Sequence, residues 1–211
     1  VRTARWRPAP GGVSIGHYLI TAGTLGCVVR DRVTGGRLIL SNNHVLANSN
    51  DASPGDAILQ PGPADGGTVA NDRIATLLRF CPIEFSAAPP TCGIAQGVAS
   101  FANFLAELSG SSHRLQAIQV HPQAVNLVDA AVARPDVDTD VLNEILEIGV
   151  VAGMVPAALG MQVRKSGRTT ELTTGTINVL DATVSVSYGP GRTATFENQI
   201  RIHSSSSSSS A

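Results

Sequence analysis

The chain has 211 residues, of which 43% are hydrophobic and 15% are charged, with 21 glycines and 12 prolines. This composition is typical of a compact, turn-rich β protein and excludes a disordered chain. The formal net charge of −1 and the lack of any lysine- or arginine-rich run argue against nucleic-acid binding. No apolar run approaches the roughly 20 residues that a membrane-spanning helix needs, so no membrane partner is expected.

The first third of the chain is predicted to be an arm followed by a β-hairpin. Residues 1–10, with Trp6 between arginines and prolines, are predicted to form an extended N-terminal arm. Strands are predicted at 24–30 and 37–41, since Gly35-Gly36 between two apolar runs is a hairpin signal. The second of these strands ends in a polar corner that contains His44.

The middle of the chain alternates loops with shorter elements. Residues 47–72 are rich in Asn, Asp, Pro and Gly, which predicts a long surface loop. A strand is predicted at 74–80 and a loop at 81–96. Apolar residues at positions 98, 101, 104, 105 and 108 fit one helical face, so a helix is predicted at 98–108. Of the three cysteines, Cys81 and Cys92 are either bridged across the loop or free, and Cys27 is predicted to be a small buried hydrophobe.

The last part of the chain returns to strand patterns. Strands are predicted at 117–120 and 127–133, and the second contains Asp129. An acidic segment at 136–149 is predicted to be a connector with a helical turn. Further strands are predicted at 162–165, 175–180, 182–188 and 194–202. The predicted organisation is an arm (1–10), a first β subdomain (11–134), a connector (135–154), a partial second β subdomain (155–202) and a serine-rich end (203–211).

His44 and Asp129 are the candidate catalytic residues. An imidazole held at the end of a buried strand can act as a general base for a serine hydroxyl. A carboxylate among apolar residues needs hydrogen-bond donors, and the Nδ1–H group of a histidine is a suitable one. The plainer alternatives are a polar loop histidine for His44, and an edge-strand acid or a partner of Arg134 for Asp129.

These segments resemble the chymotrypsin/trypsin-like serine peptidases. The residues that carry the resemblance are the segment LILSNNHV at 38–45, the segment DAAV at 129–132 and the glycine-led strand GTLGCVV at 23–29. The segments SNNHVLAN, VDAAVA and KSGRTTELTTGTI are similar to a bacterial branch of that family. The resemblance covers about residues 11–202.

The resemblance implies an all-β fold of two antiparallel β-barrels. The second barrel would be incomplete in this sequence, and the first would carry one helical insertion. It further implies that His44 is the base and Asp129 its orienting acid, and that the substrate is a polypeptide. No cofactor and no metal are expected.

The nucleophile is the main departure from the family pattern. The family places its serine in Gly-Asp-Ser-Gly, and this tetrapeptide does not occur in the sequence. Ser166 lacks that setting and is not expected to be the nucleophile. The serines from Ser204 to Ser210 are either a flexible tail or positions that stand in for an unread stretch, so the nucleophile stays unknown.

The sequence therefore predicts a serine endopeptidase that acts through a Ser-His-Asp triad and an acyl-enzyme. The alternative is a non-catalytic or truncated binding module with the same fold. A metal site built on His44, His113 and His121 is a weaker third reading, because their spacing matches no zinc pattern. Substrate specificity and oligomeric state are not predicted, and a secreted or a cytoplasmic location is equally compatible with the sequence.

Overall fold

The computed structural model of the protein describes residues 1–88, 92–120 and 124–204, and most of its regular structure is β-sheet. In chain order the strands are β1 (Ala9–Gly11), β2 (Ser14–His17), β3 (Gly23–Thr24), β4 (Cys27–Arg30), β5 (Arg37–Ser41), β6 (Ala57–Leu59), β7 (Arg73–Phe80), β8 (Ala87–Ala88), β9 (Gln119–Val120), β10 (Ala131–Pro135), β11 (Val141–Ile145), β12 (Gly149–Val150), β13 (Gln162–Gly167), β14 (Glu171–Ser187) and β15 (Thr193–Ser204). The helices are α1 (Asn43–Leu46), α2 (Val69–Asp72) and α3 (Gly93–Leu108). Short 3-10 turns cover Asn48–Asn50, Pro63–Asp65 and Asp138–Asp140.

The chain divides into two compact units whose limits differ from the predicted subdomains. The first unit comprises residues 1–83, 128–182 and 198–211, and the second comprises 84–127 and 183–197. The predicted first subdomain, 11–134, is therefore interrupted by the second unit. The hairpin of β13 and β14 was predicted to open the second subdomain, yet most of it belongs to the first unit.

A curled seven-stranded sheet forms the centre of the first unit, with the strand order β3-β2-β6-β7-β10-β5-β4. All of its pairings are antiparallel. Strand β5 contributes Leu38 and Ile39 to the core, where they are 3% and 0% exposed. Other fully buried side chains of this core are Ile15, Leu25, Leu46 and Ile58. The hairpin predicted at 24–41 is confirmed, because β4 pairs with β5 along its whole length.

Two predicted non-strand segments of the first unit are partly strands. The predicted arm is folded: Ala9 is fully buried in β1, and Arg2 is only 8% exposed. The predicted connector contains β11, which pairs with β1 in a parallel arrangement, unlike the antiparallel pairings predicted for the barrels. The Arg37 side chain donates to the Val141 carbonyl (2.8 Å) and so helps to hold β11 in place.

The second unit contains the predicted helix. Helix α3 spans Gly93–Leu108, which confirms the helical pattern predicted at 98–108 and extends it toward the N-terminus. Its apolar face is exposed: Phe101 is 64% and Leu108 is 69% exposed. Within the described ranges, no helix is both long enough and apolar enough to cross a membrane. In the same unit β8 pairs with β9, and Thr193 of β15 pairs with Ala87.

The cysteines are free thiols in all three cases. Cys81 and Cys92 are therefore not bridged, and both are exposed. Cys27 is half-buried rather than fully buried, and this burial raises the pKa of its thiol. The two strands predicted at 175–180 and 182–188 form the single strand β14, in which Asp181 has a left-handed backbone (φ 55°).

Two carboxylates of the first unit make the stability of the fold sensitive to acid. The backbone N–H of Thr34 and then the Arg79 guanidinium hold the pKa of Asp31 far below its ordinary value. The Arg168 guanidinium likewise lowers the pKa of Asp65. A carboxyl group whose pKa is lower in the folded than in the unfolded chain binds protons more tightly after unfolding. Its contribution is therefore present above the unfolded pKa of about 4 and is lost as the pH falls toward the folded pKa.

We expect the free energy of unfolding to fall as the pH is lowered below about 5. Urea denaturation at several pH values between 7 and 3 measures this directly. The Asp65→Asn variant is the control, and its pH dependence should be shallower than that of the wild type. A free energy of unfolding that stays constant down to pH 3 would contradict the prediction.

Candidate active site

His44 is presented by the first turn after a buried strand. Strand β5 ends at Ser41, whose hydroxyl donates to the Thr24 carbonyl (2.7 Å), and α1 begins two residues later. Val45 and Leu46 of this turn are buried at 3% and 0% exposure, whereas the His44 side chain is 47% exposed. Anchoring one side of the turn in the core thus directs the imidazole toward the surface. The predicted position at a corner after a strand matches this structure.

Asp129 lies two residues before a strand and not inside one, which corrects the sequence prediction. The strand predicted at 127–133 is β10, Ala131–Pro135. The Asp129 carbonyl accepts a hydrogen bond from the Asn42 side chain (3.1 Å), and its carboxylate accepts backbone N–H groups from α1. Such side-chain to backbone bonds compete with a sheet ladder. They therefore explain why the ladder begins only at Ala131.

The structure brings the two predicted residues into direct contact. His44 Nδ1 lies 2.5 Å from Asp129 Oδ2. The other carboxylate oxygen, Oδ1, accepts the backbone N–H of Asn43 (2.6 Å) and that of His44 (3.3 Å). The Asp129 side chain is 12% exposed, so water screens the contact only partly. The alternatives, a polar loop histidine for His44 and an edge-strand acid or a partner of Arg134 for Asp129, do not predict the contact between the two side chains.

The contact determines which ring nitrogen carries the proton. An ionised carboxylate only accepts hydrogen bonds, so Nδ1 is the donor when the His44 imidazole is neutral. The second ring nitrogen, Nε2, then carries the lone pair. This is the tautomer that a general base requires if Nε2 is to receive a proton.

A second histidine–aspartate pair, absent from the sequence predictions, provides a contrast. His17 in β2 is fully buried, and its Nε2 lies 3.1 Å from Asp56 Oδ2. Its Nδ1 accepts the backbone N–H of Leu19 (3.2 Å). Both ring nitrogens of His17 are therefore engaged inside the protein, and this pair has a structural role. The backbone N–H of Ser53 and, less strongly, His17 lower the pKa of Asp56.

Two asparagines at the site were also missed as functional candidates. Asn43 belongs to the polar corner predicted around His44, yet it is fully buried beside the catalytic candidates. Asn50 lies in the segment predicted as a loop and bonds to Asn43. The available signal was the cluster of asparagines at 42, 43, 48 and 50, because Asn is favoured where side chains bond to nearby backbone.

The other predicted groups that the structure describes, Ser166 and His113, have different hydrogen-bond partners. Ser166 is in β13, where its hydroxyl accepts a hydrogen bond from Arg2 (2.5 Å). His113 contacts Ser111 (3.3 Å), and His121 lies outside the described residues, as do the serines at 205–210. Among the described residues, no three His, Cys, Asp or Glu side chains lie close enough together to hold a metal ion.

Comparison with known proteins identifies the fold. No protein-family model matches the sequence, and no curated protein matches it. A solved structure of Nocardiopsis protease is similar, with a TM-score of 0.50 and 18% sequence identity over 92% of this chain and 71% of that chain. A serine protease described as specific for glutamic acid, with a histidine triad in substrate binding, also has a TM-score of 0.50. It is 16% identical, over 92% of this chain and 72% of that chain. The chain therefore has the trypsin-like serine protease fold.

Proposed function

We propose that this protein is a serine endopeptidase that hydrolyses peptide bonds through a Ser-His-Asp triad. The observation that carries the proposal is the His44–Asp129 contact at 2.5 Å, with the second carboxylate oxygen held by backbone N–H groups. In the proposal, His44 is the general base and Asp129 is its orienting acid. The triad serine is not assigned, because the sequence contains no Gly-Asp-Ser-Gly segment.

The proposed reaction begins when His44 Nε2 takes the proton of the serine hydroxyl. The serine oxygen attacks the carbonyl carbon of the scissile peptide bond, and the imidazolium that forms is stabilised by the Asp129 carboxylate. His44 then gives its proton to the leaving amine, which leaves an acyl-enzyme. Water, deprotonated by His44, hydrolyses this ester and regenerates the serine. The substrate in this scheme is a polypeptide.

The His44–Asp129 contact favours catalysis over the alternative of a binding module. A protein that only binds has no need of an exposed imidazole whose Nδ1 is fixed by a mostly buried carboxylate. His17 shows how this chain builds a purely structural histidine, with full burial and both nitrogens engaged.

A fluorophosphonate probe tests the proposal, because it reacts covalently with activated serines. We expect the folded protein to be labelled at one serine, which peptide mass spectrometry would identify. Protein unfolded in urea and the folded His44→Ala variant should both remain unlabelled, since each lacks the base in place. Folded wild-type protein that takes up no label would favour the binding module, and labelling that persists in His44→Ala would exclude the triad.

A further inference from the structure

We propose that Asn43 is a positioning residue that holds the His44–Asp129 pair in its reactive geometry. The inference rests on the proposed function for its biological meaning, but the geometry it describes can be measured without any reaction. Asn43 immediately precedes His44, and its side chain is fully buried. A buried amide must satisfy two donors and one acceptor, and an unsatisfied polar group is costly.

The Asn43 amide uses both of its N–H groups and its oxygen. Nδ2 donates to the Cys81 carbonyl (2.7 Å) and to Asn50 Oδ1 (2.8 Å). Its Oδ1 accepts the backbone N–H of Asn50 (3.1 Å). An apolar side chain could fill the same space, but it could make none of these three hydrogen bonds.

These bonds close a ring that contains the acid. The Cys81 backbone N–H donates to the Ala130 carbonyl (2.9 Å), next to Asp129 in the chain. Asp129 Oδ1 in turn accepts the backbone N–H of Asn43 (2.6 Å). The side chain of Asn43 is thus tied to the segment that carries the acid, while its backbone N–H binds the acid itself. Displacing Asn43 would move the histidine and the aspartate relative to each other.

Asn50 lies in a turn with an uncommon backbone conformation, and its side chain stabilises this ring of hydrogen bonds. Its Nδ2 donates to the Ile83 carbonyl (2.7 Å), and its Oδ1 accepts the Ile83 N–H (2.9 Å). Three successive residues, 48 to 50, have positive φ angles of 48°, 54° and 77°. This conformation is uncommon for residues other than glycine, although Asn tolerates it best. The side-chain bonds of Asn50 compensate for that conformation and hold Asn43 from the opposite side.

The tautomer of His44 is the quantity that this positioning controls. With Asp129 in place, the neutral imidazole should carry its proton almost entirely on Nδ1. Nitrogen shifts of ¹⁵N-labelled imidazole rings report the tautomer, and His44→Ala identifies the His44 signals. In Asn43→Ala we expect the share of the Nε2–H tautomer to rise about tenfold, which converts to about 1.4 kcal/mol. This is the size of one typical hydrogen bond, because only part of the energy of the three lost bonds acts on the His44–Asp129 pair.

Gln60 provides a matched control for the loss of a buried amide. It is fully buried in the first unit, and its Nε2 donates to the Ala4 carbonyl (2.9 Å). Its Oε1 accepts the Trp6 N–H (2.7 Å) and the Arg7 guanidinium (2.8 Å). These bonds hold the N-terminal segment and not the segments that carry His44 and Asp129, so in folded Gln60→Ala we expect an unchanged His44 tautomer ratio.

The outcomes separate this proposal from the proposed function. A rise in the Nε2–H share in Asn43→Ala, with no change in Gln60→Ala, supports positioning even if the fluorophosphonate test fails. An unchanged ratio in folded Asn43→Ala, or an equal rise in both variants, overturns it. A wild-type His44 that does not favour Nδ1–H also overturns it. If Asn43→Ala does not fold, Asn50→Ala takes its place and must show a rise in the same direction.

Discussion

The Asp129→Asn variant is expected to react with a fluorophosphonate probe about 10⁴-fold more slowly than the wild type at neutral pH. The asparagine oxygen can still accept the backbone N–H of Asn43, which now lies 2.6 Å from Oδ1. Its amide nitrogen then takes the position of Oδ2, 2.5 Å from His44 Nδ1, and it can only donate. Nδ1 must become the acceptor, so the proton moves to Nε2. An imidazole protonated on Nε2 cannot take the proton of a serine.

Labelling rates under matched conditions measure this effect. Asp56→Asn is the control, because it makes the same chemical change in the other histidine–aspartate pair, where His17 is fully buried. It should reduce stability and leave the labelling rate of the folded protein at the wild-type value. If Asp129→Asn reacts as fast as the wild type, Asp129 is not the orienting acid.

The parts of the fold that were predicted correctly have local signals in the sequence. The β4–β5 hairpin follows from two apolar runs around Gly35-Gly36, and helix α3 follows from apolar residues at helical spacing. His44 and Asp129 are candidates because His44 follows an apolar strand and Asp129 stands between apolar residues, and the structure places the two side chains in contact. In these cases residues adjacent in the chain determine the structure, so a pattern in the sequence is sufficient.

The parts that were missed depend on contacts between distant residues. Strand β11 forms because it pairs with β1, more than a hundred residues away in the chain. Asn43 becomes significant only when the fold places Cys81 against it. The start of β10 at Ala131 depends on hydrogen bonds between Asp129 and α1. A hydrophobic pattern within one segment cannot predict these contacts, because the residues that make them are far apart in the chain.

The division into units also depends on contacts between residues that are distant in the chain. The hairpin of β13 and β14 was predicted to open a separate subdomain, because an acidic segment precedes it. Most of it instead belongs to the first unit, where its turn residue Arg168 bonds to residues from the N-terminal third of the chain. The Arg168 backbone N–H donates to Thr24 Oγ1 (2.9 Å), and its guanidinium pairs with Asp65.

The Asp65→Ala variant is expected to lower the free energy of unfolding by about 3 kcal/mol. The Asp65 side chain is 7% exposed, and both of its oxygens lie 2.5 Å from guanidinium nitrogens of Arg168. Ser14 also donates to the carboxylate (2.5 Å). Removal of the acid leaves Arg168 without its counter-charge. The loss lies at the lower end of the range for buried pairs because Arg168 remains 24% exposed and water can solvate part of the charge.

Urea denaturation at neutral pH measures the loss, and Asp136→Ala is the matched control. Asp136 pairs with Arg73 at 2.7 Å, but the two side chains are 27% and 53% exposed. Surface pairs of this kind contribute about 1 kcal/mol or less, so Asp136→Ala should change the free energy of unfolding only slightly. If both variants lose equally little stability, the Asp65–Arg168 pair does not hold the β13–β14 hairpin. A large loss confined to Asp65→Ala means that this buried ion pair, together with the bond from the Arg168 N–H to Thr24, holds the hairpin in place within the first unit.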